Sequence, residues 1–256
     1  MISAQDMDTP WLVKTRHNSP RMRLFCFPYA GGGASVFRKW QQHLPADIQV
    51  CALQPPGREN RMADPLHHDV LALVSDIIRA IQPFLDRPFA FFGHSTGALV
   101  AFELIRKIRQ SDLPQPLVLM VSGSRPPHIP EPRPIHHLPE PQFIEGLRRF
   151  SGTPEELLQN RELMDLYTPI LRADLALEET YVHKEEALLD IPVAAVGGDR
   201  DCEVSCRVLE DWKIHTRGEF SLKLFPGDHF YLRQEYPDLL NHMAAVLSQV
   251  YESCGK

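Results

Sequence analysis

Phe89-Ala90-Phe91-Phe92-Gly93-His94-Ser95-Thr96-Gly97-Ala98-Leu99-Val100-Ala101-Phe102 runs from an apolar, aromatic stretch through Gly-x-Ser-x-Gly into residues with helical spacing. A strand, a tight turn and a helix form the context in which this pattern presents a serine as a nucleophile. The glycines have a physical role. A serine held in a strained turn needs neighbours without Cβ atoms, so that the chain bends sharply and the hydroxyl stands clear. The five-residue match alone is moderate support, and its flanks make it strong.

Working outward, strand-like apolar runs recur at Met22–Pro28, Ile48–Leu53, Leu117–Gly123, Ile191–Gly197 and Phe220–Phe225. Helix-compatible stretches lie between most of them, at Val36–His43, Asp69–Phe84, Ala98–Gln110 and Val204–His215, and a last helix is expected from Tyr236 to about Tyr251. Such alternation predicts a mostly parallel sheet covered by helices on both faces, with ligands at the carboxyl ends of its strands. Ser95 would stand there.

One stretch breaks the alternation. Pro126, Pro127, Pro130, Pro132, Pro134, Pro139 and Pro141 keep the chain out of regular structure. Helical spacing follows, at Phe143, Ile144, Leu147 and Phe150, then at Leu163, Met164, Tyr167, Ile170, Leu171 and Leu175, with a kink expected at Pro169. Residues 126–189 therefore read as an inserted helical lid between two parts of a core, 20–125 and 190–252, behind an N-terminal extension over 1–19.

A serine hydroxyl needs a base, and the base an orienting group. His229 lies on the Pro226-Gly227 turn after the last expected strand, where a histidine can reach the serine. Two carboxylates follow the preceding strand, Asp199 and Asp201. Asp201 is favoured, being deeper in the loop, and Asp199 stays open. Asp228 reads as a turn residue. The oxyanion that acyl transfer creates needs two backbone N–H donors. Thr96, after the nucleophile, supplies one. Ala30 is the choice for the other, in the glycine-rich loop Phe27-Pro28-Tyr29-Ala30-Gly31-Gly32-Gly33. That loop has neither the Lys-Ser/Thr ending of a P-loop nor dinucleotide-binding spacing.

Composition narrows the alternatives. A net charge of −6 gives no footing for nucleic acid, and no apolar run is long enough to span a bilayer. Met1–Asp8 is polar and acidic, unlike a signal peptide, and a cytoplasmic location is expected. Cys26 and Cys51 read as core residues, while Cys202 and Cys206 read as an i, i+4 helical pair and not metal ligands. No metal or cofactor site is expected, and nothing calls for more than a monomer. Arg106, Lys107, Arg109, Arg148 and Arg149 would suit an acidic partner, but a solvated helix face complementing the helix dipole is the heavier reading.

Several pieces carry a family resemblance. They are Leu24-Phe25-Cys26-Phe27-Pro28-Tyr29-Ala30-Gly31-Gly32-Gly33-Ala34, Gln54-Pro55-Pro56-Gly57-Arg58-Glu59, Phe92-Gly93-His94-Ser95-Thr96-Gly97-Ala98, Leu171-Arg172-Ala173-Asp174, Gly197-Gly198-Asp199-Arg200-Asp201 and Phe225-Pro226-Gly227-Asp228-His229-Phe230. The chain resembles the type II thioesterases that accompany polyketide synthases and nonribosomal peptide synthetases. The resemblance implies an α/β-hydrolase fold with a mobile helical lid, and the triad Ser95, Asp201 and His229. It also implies hydrolysis of stalled or wrong acyl groups from the phosphopantetheine arm of acyl or peptidyl carrier proteins, in antibiotic or siderophore assembly. Thr96 departs from the family, which often has Met or Leu there. A carboxylesterase or an acyltransferase would use the same triad. A non-catalytic binding protein of this fold usually loses a triad member, and this chain keeps all three. Arg58 either braces its loop or contacts substrate.

Overall fold

The computed structural model describes residues 8–17, 19–150, 152–233 and 237–254. Seven strands form one sheet in the order β1-β3-β2-β4-β5-β6-β7. They are β1 (Leu12–Lys14), β2 (Met22–Phe27), β3 (Ile48–Leu53), β4 (Phe89–His94), β5 (Leu119–Ser122), β6 (Val193–Gly198) and β7 (Phe220–Phe225). Among the described residues only β1 pairs antiparallel, so the sheet is mixed but mostly parallel.

Every residue of β2, β3, β4, β5 and β6 is buried, because helices cover both faces and a central strand then has no polar side. On one face Phe25, Phe27, Phe89 and Phe91 pack under α1 (Val70–Ile81) and α2 (Thr96–Gln110). On the other, Leu24, Cys26, Ala90 and Phe92 meet Trp40 and α7 (Pro237–Cys254). Period-two alternation in β2 and β4 thus builds two cores from two adjacent strands. The edges are different: β7 is mostly half-buried or exposed, with Phe225 its buried residue, and β1 has only three residues.

Local chemistry sets the helix limits. Asp69 Oδ1 accepts the Ala72 N–H at 2.8 Å and starts α1, whose buried positions 70, 73, 74, 77, 78 and 81 follow helical spacing. A 3₁₀ turn over Gln82–Phe84 ends it, with Pro83 unable to donate to the helical ladder. Val36–His43, expected as a helix, forms two 3₁₀ turns instead, Ala34–Phe37 and Trp40–Gln42. Phe37 closes the first turn and Trp40 opens the second, and both rings are buried in the core. In the expected helix Val204–His215, α6 spans only Cys206–Glu210, followed by a 3₁₀ turn over Asp211–His215. Cys202 precedes α6, so Cys202 and Cys206 share no helix, and both are exposed. Tyr236, where the last helix was expected to begin, lies outside the described residues.

Between β5 and β6 the chain forms α3 (Glu140–Arg149), α4 (Glu155–Leu158) and α5 (Arg161–Glu179), with Pro169 inside α5. These helices share a small core of their own, including Phe143, Leu147, Leu158, Met164, Leu171 and Leu175. The segment from 1 to 19 includes β1 at the sheet edge, while Met1–Met7 and Asn18 lie outside the described residues. No described helix is long and apolar enough to cross a membrane.

Candidate active site

Ser95 stands between the end of β4 and the first residue of α2, with φ 53° and ψ −126°. That backbone conformation is costly for a residue with a Cβ, by about 1–3 kcal/mol, and its surroundings hold it in place. The Ser95 N–H donates to Ser122 O at 2.8 Å, prolonging the pairing of β4 with β5. A Cβ on Gly93 would lie 2.3 Å from Gly97 O, and one on Gly97 would lie 2.3 Å from Phe27 O. Both glycines are therefore fixed by backbone crowding, and the second lets the loop after β2 press against the start of α2.

That loop brings Ala30 into the wall of the cavity that Ser95 and His229 also line. Thr96 occupies the first turn of α2, where N–H groups have no partner within the helix. Its side chain points elsewhere: Thr96 Oγ1 donates to Glu178 Oε2 at 3.2 Å.

His229 Nδ1 lies 2.8 Å from Asp201 Oδ2, and both side chains are almost fully buried. Asp201 Oδ1 accepts the N–H groups of Glu203 and Val204 at 2.8 and 3.0 Å. Burial alone would push the Asp201 carboxyl up, but these donors and His229 outweigh it and hold it below the usual carboxylate range. Asp199 does different work. Its Oδ1 accepts the Gly227 N–H at 2.9 Å and braces the histidine loop against the acid loop. Asp228 Oδ1 accepts the Phe230 N–H at 2.8 Å, closing a turn. A Cβ on Gly198 would lie 2.3 Å from Asp228 O, so the two loops meet only because that residue is glycine.

Beneath His229 lies the buried His94, with ring centroids 5.1 Å apart. His94 Nδ1 is 2.8 Å from Ser122 Oγ, which is 2.7 Å from the Tyr231 hydroxyl. Burial, followed by the neighbouring His229 and Arg233, pushes the His94 imidazole pKa well below the usual histidine range.

The cavity has a volume of about 520 Å³. Its floor is the Tyr29–Gly33 loop and Ser95, and its apolar roof comes from Leu147, Phe150, Leu157, Tyr167, Leu171 and Leu175 of the inserted helices and the residue after α3. Two polar fastenings join roof to floor. Arg58 forms a two-pronged ion pair with Asp174 of α5, and Asp174 Oδ2 accepts the Gly31 N–H at 2.7 Å. Arg58 Nη1 also donates to Gly32 O at 3.2 Å, so this arginine braces the loop as well as lining the cavity. Arg233 donates to the Tyr29 hydroxyl at 2.7 and 2.9 Å and to Gly152 O at 2.5 Å.

The basic residues weighed for partner docking are mostly committed within the fold. Arg106 is buried, not solvated, and pairs with Glu103 and Glu186. Arg109 pairs with Glu186, Arg148 with Glu145 and Glu155, and Arg149 with Glu131 and Glu203. No group of His, Cys, Asp and Glu among the described residues could hold a metal ion.

Sequence reasoning assigned no role to Asp174, Glu178, Arg233 or His94. Asp174 sat in a noted motif with nothing to say what it meets. The others become visible only when the inserted helices and the histidine loop are in place.

A family model described as thioesterase domain matches residues 22–247. The chain is 43% identical over 242 residues to the gramicidin S biosynthesis protein GrsT of Aneurinibacillus migulanus, covering 94% of each chain. Among solved structures it is similar to RedJ, the thioesterase from the prodiginine pathway in Streptomyces coelicolor. That match has a TM-score of 0.84 and 34% identity, covering 88% of this chain and 90% of that one. It is also similar to YbtT, the type II thioesterase from the yersiniabactin NRPS/PKS pathway, with a TM-score of 0.83 and 29% identity, covering 94% and 99%.

Proposed function

This chain belongs to the thioesterase domain family, and from that premise we propose that it is a type II thioesterase with the α/β-hydrolase fold. It clears stalled or aberrant acyl groups from the phosphopantetheine arm of acyl or peptidyl carrier proteins in polyketide and nonribosomal peptide assembly. The relatives named above, from gramicidin S, prodiginine and yersiniabactin pathways, support that setting. The partner brings the phosphopantetheine, and the enzyme needs no cofactor of its own.

Ser95 Oγ attacks the thioester carbonyl carbon while His229 takes its proton. Asp201 holds the imidazole through Nδ1 and stabilises the imidazolium that forms. The amides of Ala30 and Thr96 bind the oxyanion, the C–S bond breaks, and the thiolate leaves with the proton from His229. Water then attacks the acyl-serine, with His229 again as base, and the free acid departs. The inserted helices shape the acyl chamber, whose volume and apolar roof suit an acyl chain.

The observation that carries this reading is the 2.8 Å contact of His229 Nδ1 with Asp201, at a cavity shared with Ser95. Turnover of acylated carrier protein by wild type and Ser95→Ala tests it, and wild-type rates in the variant would overturn it. Faster turnover of simple oxygen esters than of carrier thioesters would favour a carboxylesterase. Transfer of the acyl group to an amine or alcohol would reveal an acyltransferase.

A further inference from the structure

A second chamber, of about 20 Å³, adjoins the reacting residues, and both Ser95 and His229 line it. It borders the acyl cavity, sharing Phe150 and Leu175 with it, and is otherwise walled by the end of α5, the segment after β5 and the loop after β6. That volume holds about one water molecule. Its lining mixes apolar side chains, Phe150, Leu175 and Val204, with charged ones. Glu178 is fixed there, its Oε2 accepting from Thr96 Oγ1 at 3.2 Å. Arg125 and Glu179 also face it. The Glu179 side chain is 2% exposed; its Oε2 accepts the Ile135 and His136 N–H groups at 2.9 and 2.7 Å and meets His136 Nδ1 at 2.6 Å, while its Oε1 has no partner among the described residues. A carboxylate oxygen buried without a donor is costly, and a water supplies that donor.

Building on the thioesterase reading, we propose that this chamber holds the water that hydrolyses the acyl-serine, with Glu178 as its positioning residue. Thiol release restores neutral His229, so Nε2 is free to take a second proton. The water's oxygen attacks the acyl carbonyl carbon as one of its protons passes to His229, and Glu178 accepts a hydrogen bond from the other. The tetrahedral intermediate collapses, the bond to Ser95 Oγ breaks, and His229 returns its proton to that oxygen. Thr96 is what anchors Glu178.

Glu178→Met removes the acceptor at similar size, and Glu178→Gln retains an oxygen there. Rapid-mixing measurement of thiol release from an acyl N-acetylcysteamine thioester, with intact-protein mass spectrometry at steady state, separates the two half-reactions. The expected result for Glu178→Met is a first turnover within about twofold of wild type, steady turnover at least tenfold slower, and accumulated acyl-enzyme. Glu178→Gln recovers most of the steady rate. Slowed first turnover without acyl-enzyme, or unchanged steady turnover, overturns the assignment. Thr96→Val, which releases the carboxyl, provides the same test should Glu178→Met fail to fold. An inactive Ser95→Ala beside a burst-free Glu178→Met sinks only the water chamber, whereas an active Ser95→Ala sinks the thioesterase reading itself.

Discussion

Arg58 and Asp174, 116 residues apart in the chain, form a buried ion pair with Arg58 Nη2 2.9 Å from Asp174 Oδ1. The same carboxylate accepts the Gly31 N–H, one residue beyond Ala30. One aspartate of the inserted segment thereby holds both the arginine and the loop that carries a candidate oxyanion donor.

Removing one partner of such a pair leaves a buried charge uncompensated, at about 3–5 kcal/mol. Asp174→Ala is expected to lose stability on that scale in urea unfolding and to lower kcat more than it raises KM. Asp174→Asn keeps an acceptor for Gly31 and is expected to retain more activity. Equal kcat in Asp174→Ala and wild type would show that this loop needs no such support.

Asp201→Asn tests the orienting role without emptying the space. An asparagine can hold the imidazole in the wrong tautomer, and in a serine triad that substitution lowers kcat by about 10⁴. A fall of 10³–10⁴ is expected here with the fold retained, against a much smaller one for Asp199→Asn, whose carboxylate meets Gly227 N–H. Comparable losses in both would leave the orienting group undecided between them.

Gly97→Ala places a methyl 2.3 Å from Phe27 O, and that neighbour is backbone. Relief requires the loop after β2 to move away from α2, carrying Ala30 with it. A stability loss of about 2–3 kcal/mol or more is expected, because overpacking here has no flexible side chain to absorb it. Thermal unfolding beside kcat on a small thioester checks both parts.

Away from the site, His215 meets His128 at 2.8 Å and lies 5.2 Å from the ring of His183. Burial, then His128, His183 and Arg106, lowers the His215 pKa to about 4. The unfolded chain takes up this proton near pH 6.5, ahead of the folded one. His215 therefore costs nothing above pH 6.5 and destabilises progressively as pH falls toward 4, by up to about 3 kcal/mol. Unfolding measured from pH 7 to 4.5 should show a shallower decline in His215→Gln than in wild type. Parallel declines would remove the effect.

The central strands were legible because burial on both faces writes them as largely apolar runs, as in Ile48–Leu53, whose limits match; the edge strand Phe220–Phe225 was legible from its alternation instead. β1 escaped notice since Leu12-Val13-Lys14 is too short for any period to register. Val36–His43 misled because two successive 3₁₀ turns bury Phe37 and Trp40 at a spacing an α-helix would also give. At the site, Ser95 and His229 stand on motifs whose turn chemistry is local. Glu178 and Asp174 act across the inserted helices, and no spacing in the chain announces which loop such a residue will face.

Arg233 reaches Tyr29, Gly152 and the ring of Phe230 at once. Three stretches far apart in the chain are thus buttoned by a single guanidinium at the doorway. Tyr29, the immediate neighbour of Ala30, is thereby tied through one side chain to the segment that follows α3.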